Sequence, residues 1–230
     1  MNRHPIRSAI VVASFVALFL RPPAVLAADA PFEKEIAAFE EADHKAAPPK
    51  DAVLFIGSSS IRFWKTLAAD FPNIAVINRG FGGSRIADST RYAERIVFPY
   101  HPRRIVMYAG DNDIAAGRTP QQLLSDFQAF VAKVRAELPD VPISYISIKP
   151  SPLRWKMVDN IKEANALIEQ ETKTGKNLEY IDVFTPMLGA DGLPRPELFR
   201  PDHLHMVDKG YQLWTSIITP RIVDHHEPAR

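Results

Sequence analysis

Cysteine is missing from all 230 residues. That excludes disulfide staples, zinc sites built on thiolates and attachment through a lipidated N-terminal cysteine, so the fold must be held by its core alone. An excess of charge is missing too. Lys and Arg number 28 against 27 Asp and Glu, a formal balance of +1, which offers no basic field for nucleic acid. The chain also lacks internal repeats, low-complexity tracts and linkers rich in Gly or Ser, and its length favours one domain.

Long apolar runs are absent but for one, "SAIVVASFVALFL" near the N-terminus. The basic start "MNRHPIR" precedes it and the small-residue stretch "RPPAVLA" follows, which is the order of a secretory signal peptide. An uncleaved membrane anchor is the rival reading, but the run is short for a bilayer and is ended by Arg21, Pro22 and Pro23. Residues 1–27 are therefore expected to be cut near Ala27, leaving 28–230 as a single domain in the periplasm or outside the cell, with no stable membrane span. Cleavage removes Arg3, Arg7 and Arg21 and no acid, and takes the formal balance from +1 to −2.

Beyond a helical stretch at 31–45, short β-branched runs at 52–56, 74–77, 105–108, 143–148 and 180–183 alternate with amphipathic stretches at 61–70, 86–98, 120–138, 155–174 and 207–224. Strands alternating with helices of this length predict a parallel five-stranded sheet with helices on both faces. In such sheets the ligand crevice lies outside the carboxyl ends of the strands, so the residues after each strand are the ones to read.

Three stretches there, and a fourth just before the last helical stretch, carry chemistry. "GSSS", 57–60, holds three hydroxyls where one would cap a helix, and a helix opening at that point would turn N–H groups and a positive dipole end toward developing negative charge. It does not match the G-x-S-x-G elbow. "NRGFGGS", 78–84, places Gly80, Gly82 and Gly83 where positive φ and uncovered N–H groups are available. A tight turn would use them as well, and phosphate-loop and dinucleotide spacings are not met. In "AGDND", 109–113, Asn112 can donate its side-chain amide to an oxyanion, or cap a helix; Asp111 and Asp113 alone make a poor calcium loop. In "RPDHLHMVDKGY", 200–211, Asp202 and His205 are three apart, on one side of a helical turn. The carboxylate can hold Nδ1–H and leave Nε2 as a base, although a solvated turn accounts for the pair equally well. His44, His101, His225 and His226 have no such partner in the sequence.

Acyl transfer from an ester needs a nucleophile, a base, a group to orient the base and donors for the oxyanion. In order and spacing the four stretches resemble the SGNH hydrolases, the GDSL esterase/lipase family, over about residues 52–214. The family block G-D-S-[LI] falls on "GSSS" and puts the nucleophile at Ser59, with Ser58 where Asp is usual and Ser60 where Leu or Ile is usual. N-x-G-x-G-G falls on "NRGFGG" and gives Gly83. G-x-N-D falls on "GDND" and gives Asn112. D-x-x-H gives Asp202 and His205, with His203 where glycine is commoner. "GSSSIRFW" together with "SIKPSPLRW" is similar to a bacterial branch near the platelet-activating-factor acetylhydrolase-like group.

The resemblance implies a flavodoxin-like three-layer αβα sandwich. It also implies hydrolysis of carboxylic esters through an acyl-enzyme, with Ser59, His205 and Asp202 as the triad. Ser59, Gly83 and Asn112 would supply the oxyanion hole, with no metal and no organic cofactor. The substrate is expected to be a small-molecule, glycan or lipid ester, its acyl chain and alcohol unspecified by these residues, as is the oligomeric state. The same site could pass the acyl group to a sugar hydroxyl, and the same fold could serve as a silent binding module. The full set of Ser, Gly, Asn, Asp and His argues against the latter.

Overall fold

In the computed structural model, residues 30–223 are described; the expected signal segment lies outside them. Five consecutive residues, VLFIG, form β1 (Val53–Gly57), buried along its whole length, as befits the centre of a parallel sheet covered on both faces. The other strands are β2 (Val76–Gly80), β3 (Arg104–Tyr108), β4 (Ile143–Ile146) and β5 (Leu178–Ile181). All pair in parallel in the order β2-β1-β3-β4-β5. The helices are α1 (Glu33–Lys45), α2 (Ser59–Arg62), α3 (Leu67–Asp70), α4 (Ile86–Ile96), α5 (Asp111–Ala115), α6 (Pro120–Glu137), α7 (Val158–Thr174) and α8 (Asp208–Ile222).

Side chains alternate across a strand, so β1 feeds two cores. Leu54 and Ile56 join Ile36 of α1, Ile96 of α4, Phe127 of α6 and Ile168 of α7. Val53 and Phe55 join Ile61 of α2, Leu67 of α3 and Trp214 of α8. The result is the expected αβα sandwich with a five-stranded parallel sheet. From β1 the chain steps to β2 on one side and then crosses to β3 on the other. That reversal opens a crevice at the carboxyl ends of β1 and β3. Gly57 stands at its lip with φ +134°, and a Cβ there would lie 1.8 Å from the Tyr108 carbonyl oxygen. Only glycine lets the chain turn this close to β3.

Several elements depart from the expected boundaries, β4 for one ending at Ile146 and α7 beginning at Val158. β2 runs on through Asn78 and Arg79, which the polar pattern assigns to a loop. Both are satisfied inside: Asn78 Nδ2 donates to the Ile61 carbonyl at 2.8 Å and its Oδ1 accepts from the Gly80 N–H at 2.9 Å, while buried Arg79 pairs with Asp43 of α1 and with Tyr100. The helix expected over 61–70 breaks into α2 and α3, because Trp64 turns inward to a 1% exposed position against Phe55 and Phe71. β5 begins at Leu178, two residues before the expected strand. Among the described residues no helix is long and apolar enough to cross a membrane.

Candidate active site

Ser59 is the first residue of α2, immediately beyond β1. Its Oγ lies 3.1 Å from Nε2 of His205, and Nδ1 of His205 lies 2.7 Å from Oδ2 of Asp202. Asp202 and His205 belong to a turn ahead of α8, which starts at Asp208, so their spacing of three works through a turn and not through a helix. Asp202 builds that turn itself, its Oδ1 accepting the N–H groups of Leu204 and His205 at 2.9 Å each. Burial works to raise the Asp202 pKa, but the hydrogen bonds from the His205 side chain and from these two N–H groups outweigh it and hold the carboxyl down at about 2. An ionised Asp202 keeps the hydrogen on Nδ1, so the Nε2 lone pair faces the Ser59 hydroxyl.

The imidazole is also fixed by packing. Phe63 meets it edge-on, ring centroids 4.9 Å apart, and the guanidinium groups of Arg62 and Arg200 stand 5.6 and 5.0 Å from the Phe63 centroid. His203 adopts φ 58°, the left-handed conformation that explains why glycine is commoner there. Its carbonyl accepts the Leu153 N–H at 3.0 Å, tying the histidine turn to the segment after β4.

The glycine loop is tied to the same end of the sheet. The Phe81 N–H donates to the Gly57 carbonyl at 2.9 Å. Gly83 is exposed with φ +83°, and a Cβ there would meet nothing within 4 Å. Glycine is needed at this position for its backbone conformation and not for want of space. Asn112, in α5 after β3, donates from Nδ2 to the Ser84 carbonyl at 3.0 Å. Ser59 and Asn112 stand in the first turn of short helices just past β1 and β3, and Gly83 lies in the loop after β2, all at the carboxyl end of the sheet, where the turn of Asp202 and His205 meets Ser59. A groove of ≈ 750 Å³ beside β5 is lined by none of them.

The two acids flanking Asn112 are engaged by the protein. Asp111 takes Lys149 and Arg154; burial would raise its pKa, and these two cations bring it below the ordinary value. Asp113 accepts the Ile86 N–H at 3.2 Å, joining the start of α4 to this loop. Burial pushes its carboxyl up from 3.8 to about 6. Because the folded protein holds that proton more tightly than the unfolded chain, stability should fall as pH rises through the window from about 4 to about 6. Asp113→Asn should therefore raise the thermal midpoint by a few degrees at about pH 8 and lose that advantage at about pH 4. The same offset at both pH values would contradict the burial account.

Lys149 and Arg154 fall within the quoted stretch "SIKPSPLRW", but the sequence pattern assigns neither of them a role. The signal was a charged residue, Lys149, directly after the apolar run "ISYISI", where a buried strand end leaves little room for a solvated ammonium group.

Residues 57–213 match the GDSL-like lipase/acylhydrolase family, most of the described chain. The chain belongs to that family. It is a serine hydrolase of ester bonds, of the GDSL type. Solved GDSL-like structures share its fold. A Streptococcus pneumonia protein described as a platelet activating factor is 18% identical, with a TM-score of 0.73 over 82% of this chain and 91% of that one. A GDSL-like lipase from Bacteroides thetaiotaomicron is 20% identical, with a TM-score of 0.69 over 81% and 96%. An acetyl-xylooligosaccharide esterase from Geobacillus Stearmophilus is 14% identical, with a TM-score of 0.63 over 80% and 99%. No curated protein matches the sequence.

Proposed function

We propose that the protein is an exported esterase in which Ser59 is the nucleophile, His205 the general base and acid, and Asp202 the group that orients His205. The observation that carries this reading is the unbroken run from Ser59 Oγ to His205 Nε2, 3.1 Å, and from His205 Nδ1 to Asp202 Oδ2, 2.7 Å. Ser59 Oγ attacks the ester carbonyl as its proton passes to Nε2. The negative charge that forms on the carbonyl oxygen is met by the N–H groups of Ser59 and Gly83 and by Nδ2 of Asn112. Collapse expels the alcohol, protonated by His205, and leaves the acyl group on Ser59. Water, deprotonated by His205, then releases the acid. With only four residues, α2 has little macrodipole, so the oxyanion relies on these local donors.

Because this chemistry uses a hydroxyl and an imidazole, hydrolysis of p-nitrophenyl acetate should persist in EDTA and be abolished by an organophosphonate. Loss on chelation with recovery on added zinc or calcium would refute the serine mechanism. The ester panel should include acetylated xylan and a lysophospholipid, since the structural relatives carry names pointing to both kinds of alcohol. Export rests on the order of charged, apolar and small residues in 1–27. Protein recovered outside the cytoplasm should have an intact mass beginning near Ala28, and full-length protein held in membranes would contradict it.

A further inference from the structure

The segment after β4 carries two cations into the floor of the site, and neither takes part in the proton transfers above. Lys149, 1% exposed, donates to the Tyr108 hydroxyl at 3.0 Å and to Asp111 Oδ2 at 3.2 Å. Arg154 uses two nitrogens of one guanidinium group. Nη2 donates to Asn112 Oδ1 at 2.9 Å, and Nη1 stands 3.2 Å from Asp111 Oδ2 as an ion pair without hydrogen-bond geometry. The side chains of Asp111 and Arg154 are only 5% and 13% exposed.

An asparagine amide has one acceptor oxygen and two donor hydrogens, whereas a guanidinium group only donates. The atom of Asn112 that faces Arg154 must be Oδ1, which turns Nδ2 toward Ser84. The Ser84 carbonyl takes one Nδ2 hydrogen, and the second is left for an oxyanion. The charges act in the same sense. Two cations share the Asp111 carboxylate in this buried cluster, and one of them, Arg154, bears directly on Oδ1 of Asn112. A cation on Oδ1 withdraws electron density and makes the remaining N–H a stronger donor.

We infer that Arg154 is a positioning residue for ester hydrolysis: it sets the donor orientation of Asn112 and polarises its amide, through a forked contact that Asp111 holds in place. The inference rests on Asn112 being an oxyanion donor. Lysine cannot replace the fork, because one ammonium group does not reproduce the planar two-nitrogen geometry.

The test is a double-mutant cycle on the mature enzyme with p-nitrophenyl acetate, each variant checked by thermal unfolding. Arg154→Met should lower kcat by about tenfold to a hundredfold and change KM by less than about threefold. In an Asn112→Ala background the same substitution should cost less than about twofold, because the group it acts through is gone. Lys149 still balances Asp111 in Arg154→Met, so the fold should survive. Should it not, Arg154→Lys takes its place in the cycle, expected to remain at least about fivefold below wild type and to lose its effect without Asn112. Equal losses in both backgrounds, as a merely structural role would give, or wild-type kcat in either Arg154 variant, would overturn the inference. Ser59→Ala, assayed alongside, separates the two levels. An active Ser59→Ala enzyme defeats the catalytic reading, while an inactive one beside an unaffected Arg154→Met defeats only the role of Arg154.

Discussion

Replacing Ser59 by alanine is expected to lower kcat for ester hydrolysis by about three orders of magnitude or more, with the fold intact. The substitution removes the one hydroxyl of the three that faces His205, and with it the acyl-enzyme; the oxyanion donors and substrate binding remain. Its neighbours should behave differently. The hydroxyls of Ser58 and Ser60 are buried, and among the described residues neither meets a partner with full hydrogen-bond geometry, Ser60 lying close to the Tyr108 hydroxyl. Ser58 precedes α2 without capping it, and Ser60 does not bond back to the chain as its place in the first helical turn would suggest. Their small size fits them between β1 and the aromatic cluster that holds α2, in which Tyr211 donates to the Ser60 carbonyl at 3.0 Å and stacks near Trp64. Ser58→Ala and Ser60→Ala should each cost about tenfold or less in kcat, through positioning alone. A loss as large as that of Ser59→Ala at either position would contradict this assignment.

Asp202→Asn should be nearly as damaging, with a loss in kcat of about a thousandfold to ten-thousandfold. Asparagine can still accept the two turn N–H groups through its oxygen, so the turn should hold. Its amide hydrogens would then face Nδ1 and draw the imidazole hydrogen to Nε2, leaving no lone pair for the Ser59 proton. The wild-type pH profile follows from the same group. Asp202 has its pKa lowered from 3.8 to about 2 by its hydrogen bonds, so it stays ionised in the folded enzyme down to strongly acid pH. Loss of the Asp202 carboxylate should therefore not limit the rate at mildly acid pH. Any stability that Asp202 contributes is present above about pH 4 and lost as pH falls toward about 2, and solvent exposure keeps it small. A variant with most of its activity retained would show that Asp202 only shapes the turn.

The sheet was legible because β1, β3 and β4 are buried on both faces and so read as continuous apolar runs with helical stretches between them. β2 was harder to place. Asn78 and Arg79 look like loop residues until Asp43, 36 residues earlier, is seen to neutralise the arginine. The helix break at Trp64 was hidden for the same kind of reason: an amphipathic stretch gives no sign that its tryptophan must turn into the core. Ser59, Gly83 and Asn112 stood out because each follows an apolar run in a short block of recognisable spacing, and Asp202 and His205 because their spacing of three stands just ahead of the last helical stretch. Arg154 did not, since its meaning depends on Asn112, 42 residues away, and only the crossover after β4 brings the two together.

The most direct measurement is the position of a covalent adduct. After treatment of the enzyme with an organophosphonate, peptide mass spectrometry should find one label on the peptide containing "GSSSIR" and fragmentation should place it on Ser59, with His205→Ala left unlabelled on the same timescale. A label on Ser58 or Ser60, or undiminished labelling without His205, would contradict the account.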